Sequence, residues 1–165
     1  MKIELTPIEQ EIVDCLKQMT LDADIENSKG KRWTIKHWTG NIIDRLYVMA
    51  KEKGFEPLKE WLYDLVWYKE STEPNFNLEK SVLAMECEWN MDWWEIKYDF
   101  EKLLVCNCEI KLMICQTKSD IESIFSKFQT SIDAYQSGRN GERFLIAVYD
   151  ESDEGDLVYR VLVRK

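Results

Sequence analysis

The sequence predicts an α/β fold: a central mixed β-sheet flanked by helices. Three observations carry this. Segments of helical period alternate with short strand-like runs, in the order helix, helix, strand, strand, helix, strand, helix, strand, strand. Hydrophobic residues make up 45% of the 165 positions and aromatics 12%, enough for a buried core. No repeat, low-complexity tract or linker divides the chain, so one domain is expected over residues 1–165.

Each element has a local reason. In "TPIEQEIVDCLKQM", Thr6 is placed to cap a helix, with Pro7 at its first position and Glu9 at its third. Ile8, Ile12, Cys15, Leu16 and Met19 then form an apolar stripe. The polar stretch "LDADIENSKGK" is expected to be a connection. A second helix is predicted from about Thr39 to Lys53, with Gly54 at its C-terminal cap. "EWLYDLVWY" (60–68) and "KSVLAMECEW" read as strands separated by the turn "STEPNFN". "DWWEIKYDFEKLLVC" returns to helical period, with Asp92 and Glu95 as a capping box. "IKLMICQT" is a short buried strand. "SDIESIFSKFQTSIDAY" is a helix predicted to be capped by Ser119 and Glu122. "RFLIAVYD" and "LVYRVLV" are strands joined by the acidic turn "ESDEGD".

Composition narrows the function classes. The N-terminus has no apolar signal segment, and no apolar run approaches a membrane span. Four of the five cysteines (Cys15, Cys87, Cys106, Cys115) sit in apolar patterns, as reduced thiols of a cytoplasmic protein do. "CNC", Cys106 with Cys108, lacks the second pair that a zinc site requires. The one histidine, His37, accompanies no nucleophile motif, which argues against a Ser-His-Asp or Cys-His enzyme. A net charge of −9 favours solubility or a cationic partner and argues against a surface that is basic throughout. Phosphate affinity depends on local clusters, however, and one exists: "SKGKRWTIKHW" holds Lys29, Lys31, Arg32 and Lys36 without an acid, interleaved with Trp33 and Trp38. These four cations are the candidate nucleic-acid contacts, with DNA and RNA both open. A solvated loop leading into a helix explains them equally.

The stretch "VLAMECEWN" poses the sharpest question. Strands alternate faces, so Glu86 and Glu88 point one way and Cys87 and Trp89 the other. Carboxylates on a core-facing strand are costly unless paired or bound to a cation. Asp64 interrupts the preceding strand. If the two strands are neighbours, three acids converge at one end of a sheet. Hard divalent cations take such oxygen ligands, usually one or two carboxylates plus water and phosphate. Two structural explanations compete: Asp64 paired with Arg45, and Glu86 with Glu88 at the exposed end of an edge strand.

Asp64, "LAMECEW" and "YDFEKLL" together resemble the core of the PD-(D/E)XK nucleases, the restriction-endonuclease-like superfamily, over about residues 39–117. The C-terminal helix and hairpin (119–165) lie outside that core. The resemblance implies an α/β/α sandwich, Mg²⁺ or Mn²⁺ held by Asp64 and Glu86, and hydrolysis of nucleic-acid phosphodiesters. The position that holds lysine in the family is Glu88 here. Some members move that lysine to the following helix, and Lys102 is its counterpart, leaving Glu88 to assist. A literal E-x-K also occurs at Glu109 to Lys111, with Asp99 as the partner acid, but Asp99 falls in a predicted helix. The resemblance leaves a homodimer open. The alternative reading is a catalytically inactive relative, an acidic interaction module of the immunity or regulatory kind, supported by the charge of −9 and by Glu88.

Overall fold

Thr6 caps the first helix as expected, its hydroxyl accepting from the Glu9 N–H while Glu9 accepts from the Thr6 N–H. The structure is a computed structural model that describes residues 3–151 and 156–165. Helix α1 (Pro7–Ser28) runs well past the predicted end. The apolar stripe continues through Met19 to Ala23, while Asp22 bonds Gln18 one turn back and pairs with Arg45 at 2.7 Å. Polar residues read as a connection are the solvated face of a helix. Helix α2 (Ile35–Glu52) begins four residues before Thr39 because Thr34 caps it, accepting from the His37 N–H.

The predicted strand 60–68 is two strands. β1 (Glu56–Trp61) turns sharply into β2 (Tyr63–Glu70), with Glu60 and Leu62 at positive φ of 55° and 65°. The polar, proline-containing sequence of β1 carries no apolar alternation. Such a sequence belongs on a sheet edge, and β1 occupies one. Then follow β3 (Leu78–Glu88), α3 (Trp93–Leu104), β4 (Ile110–Thr117), α4 (Ile121–Ala134), β5 (Arg143–Asp150) and β6 (Asp156–Val163). Asp92 caps α3 through the Trp94 N–H. Asp120, not Ser119, caps α4 by accepting from the Ser123 N–H, and Glu122 instead pairs with Arg160. The turn predicted at 151–156 falls largely on residues 152–155, which lie outside the described residues.

The six strands form one mixed sheet in the order β1-β2-β3-β4-β5-β6. β3, β4 and β5 are parallel, and the other neighbours are antiparallel. Helices cover both faces. Leu65, Trp67, Leu83, Met85 and Trp89 pack with α1 and α2, whereas Ala84, Met113, Ile146 and Val148 pack with α3 and α4. This is the predicted α/β sandwich. No helix among the described residues is long and apolar enough to cross a membrane.

Candidate functional site

The antiparallel register of β2 and β3 pairs Leu65 with Met85, and one step further places Asp64 across from Glu86. Directly opposed residues hold their Cβ atoms about 5 Å apart. Strand alternation puts Glu86 on the same face as Ala84, toward α3, while Met85 turns toward α2. β3 is an inner strand bonded on both sides, so the edge-strand explanation of Glu86 and Glu88 does not hold. Nor does Arg45 neutralise Asp64, because that guanidinium is committed to Asp22. Asp64 Oδ2 instead accepts from the Cys87 N–H at 2.9 Å.

Glu86 is 1% exposed. Lys102 reaches it from α3, with Nζ 2.8 Å from Oε1, and the same ammonium lies 2.8 Å from Asp99 Oδ1. Lys102 lies on the flank of the buried face formed by Ile96, Phe100, Leu103 and Leu104, and its flexible stem spans the remaining gap. The contact with Glu86 is an ion pair without hydrogen-bond alignment, so Oε1 is buried with no hydrogen-bond partner. Burial pushes the Glu86 carboxyl up to about 7, and the facing Asp64 adds to the rise, against the opposing pull of Lys102. Burial likewise raises Asp64 above the usual carboxylate range, although the Cys87 N–H opposes it. Lys102 is raised in turn, as Asp99 and Glu86 outweigh its partial burial.

Glu88 stands one step further along the strand, half-buried. It accepts from the Asn90 N–H and lies beside Asp99, and burial raises its carboxyl. The strand end thus gathers four carboxylates, two of which, Glu86 and Asp99, pair with Lys102. Asp99 is the member that sequence reasoning set aside as the partner of a rival motif. Its spacing of three from Lys102 on one helix was the available signal. That rival motif does not assemble. Glu109 pairs with Lys80 at 2.7 Å, while Lys111 is buried 3.1 Å from Glu142 and over the Phe144 ring.

The donor set bears on a metal. Among the described residues, no group of three or more His, Cys, Asp or Glu side chains is arranged to hold a metal ion. That excludes a closed cage of protein ligands. Mg²⁺ more commonly takes one or two carboxylates completed by water and phosphate oxygens. Glu86 Oε1, buried and facing Asp64, lies 2.8 Å from the Lys102 ammonium, so a metal held there would share that oxygen with the lysine or displace it.

The basic segment reaches the same end of the sheet. The Trp38 ring packs 6.1 Å from Trp89, and Trp89 Nε1 donates to Thr39 Oγ1 at 2.8 Å. The start of α2 is therefore pinned to the residue following Glu88. Of the four cations, Lys29 and Lys31 both pair with Glu26, at 3.7 and 3.8 Å. Arg32 and Lys36 are exposed and form no ion pair among the described residues. No protein-family model, curated protein or solved structure matches this chain.

Proposed function

We propose that the chain is a metal-assisted nuclease of the PD-(D/E)XK type, hydrolysing nucleic-acid phosphodiesters at the end of β3. The observation that carries this reading is Lys102, which restores from α3 the positive charge that Glu88 denies the strand, 2.8 Å from Glu86. Asp64 and Glu86 would hold Mg²⁺ or Mn²⁺. When bound, the ion would act as a Lewis acid on the phosphate and lower the pKa of an attacking water. Lys102, 37% exposed, is placed to donate to a phosphate oxygen or to that water. Asp99 orients Lys102 and keeps it charged. Arg32 and Lys36 guide the nucleic-acid backbone, with Lys29 and Lys31 contributing once released from Glu26.

Calorimetric titration with Mg²⁺ and Mn²⁺, run beside Glu86→Gln, tests the site. Cleavage of single-stranded and duplex DNA and RNA, with Lys102→Ala as control, tests the activity. Binding that is lost in Glu86→Gln, and cleavage that is lost in both variants, are expected. Cleavage that survives both variants contradicts the reading.

A second reading has its own observation. Trp94 and Tyr98, one turn apart on α3, are 70 and 69% exposed on an acidic protein, and Met91 and Val105 are exposed just beyond the two ends of the helix. Such anchors suit binding of a cationic protein. That reading requires a partner whose binding is lost in Trp94→Ala and kept in Glu86→Gln.

A further inference from the structure

On the face of the sheet opposite the carboxylates, a cavity of about 400 Å³ opens at the ends of β3, β4 and β5. That volume lies in the range of small-ligand sites. Trp33 and Trp38 are half-buried and present rings to it, backed by Tyr149 with its centroid 5.0 Å from Trp38. The polar lining is mixed. Arg32 brings a guanidinium with no ion pair among the described residues, Asp24 and Glu151 bring carboxylates, the latter paired with Lys118 at 3.3 Å, and Gln116 brings an amide whose Nε2 donates to the Trp89 carbonyl.

We propose that this cavity binds a nucleotide, with its base stacked on one of the Trp33 and Trp38 rings, which meet edge to face at 68°, and its phosphate on Arg32. Aromatic faces stack any base, and the guanidinium is a planar fork suited to phosphate oxygens. Asp24 can accept from a base amino group or a sugar hydroxyl, and Gln116 can meet a base edge. A quaternary ammonium ion, which aromatic cages suit and which Asp24 and Glu151 would attract, is the rival occupant. An uncharged apolar ligand would bury Arg32 and Asp24 without partners. Trp89 follows Glu88 directly and forms part of the cavity wall, so a strand rounding the end of β3 passes from the carboxylates to the cavity. The proposal rests on the nuclease reading only for the source of the nucleotide, a chain rather than a free monophosphate.

Tryptophan fluorescence tests it, titrated in EDTA with dAMP, deoxyadenosine, a six-nucleotide single strand of dA and choline. Saturable quenching is expected with dAMP, and binding about tenfold tighter with the single strand. Arg32→Ala alters an exposed loop residue and should weaken dAMP about tenfold while leaving deoxyadenosine within about twofold. Saturation by choline but not dAMP, saturation by no probe, or equal weakening of dAMP and deoxyadenosine overturns the proposal. Saturation by dAMP with no gain from the single strand keeps the cavity and overturns the chain as its source. The same titration on Glu86→Gln separates this proposal from the nuclease reading, because quenching should persist there whether or not cleavage is lost.

Discussion

Two glutamates in this protein are equally hidden from water and live in opposite circumstances. Glu9, at the start of α1, and Glu86, near the end of β3, are each 1% exposed. Arg143 grips Glu9 with two nitrogens, at 2.6 and 3.0 Å, and the Thr6 N–H adds a third donor at 2.7 Å. Burial alone would raise that carboxyl, but these donors outweigh it and hold it below the ordinary value. Glu86 has one ion pair, shared with Asp99, and faces another acid across the strands. The fold supplies full compensation at one site and leaves the other short of positive charge. A buried carboxylate with every oxygen satisfied is part of the scaffold. One short of positive charge is a candidate ligand site.

The strongest way to break this contrast is to remove the compensation at Glu9. Arg143→Met strands a buried carboxylate and should cost about 4 kcal/mol in urea denaturation at pH 7. The opposite sign is expected at β3. Below pH 4.5 Glu86 is protonated in both the folded and unfolded states. Between 4.5 and about 7 the folded state keeps a proton that the unfolded state has lost, so stability falls as pH rises through that window. At about 1.4 kcal/mol per pH unit, the loss totals about 3 kcal/mol above pH 7. Glu86→Gln removes it, so at pH 8 the variant should be more stable than the parent by about that amount, with a flatter pH profile. Calorimetric melting across pH 4–8 reads both.

Next in size, Lys102→Met should lower cleavage about 100-fold while metal binding at pH 8 persists, because the ligands remain. A metal must displace the Glu86 proton, so Mg²⁺ affinity should fall about tenfold from pH 8 to pH 6. The smallest effect belongs to the literal E-x-K. Glu109→Ala breaks an exposed pair with Lys80 and should change stability by less than about 0.5 kcal/mol, with metal binding unaltered.

How much of this was legible depended on whether the cause was local. The runs "IKLMICQT" and "RFLIAVYD" coincide with β4 and β5, because strands covered on both faces are continuously apolar. The Thr6 cap and the shared face of Glu86 and Glu88 follow from spacing alone. β1 was hidden because an edge strand need not alternate, and the second half of α1 because its solvated face resembles a linker. The site was half legible. Strand alternation pointed to Asp64 and Glu86, but the reach of Lys102 depends on how α3 is seated on the sheet. The cavity needed the segment of Trp33 and Trp38 to meet Trp89 and Tyr149 from two other places in the chain, a tertiary fact with no sequence period.

The most direct test of the central claim is the titration of the Glu86 carboxyl itself, followed by carbon NMR on protein labelled at glutamate and assigned with Glu86→Gln. A midpoint near 7 that moves down when Mg²⁺ is added is the expected result. A midpoint near 4.5, or one near 7 that Mg²⁺ leaves unmoved, would contradict the account.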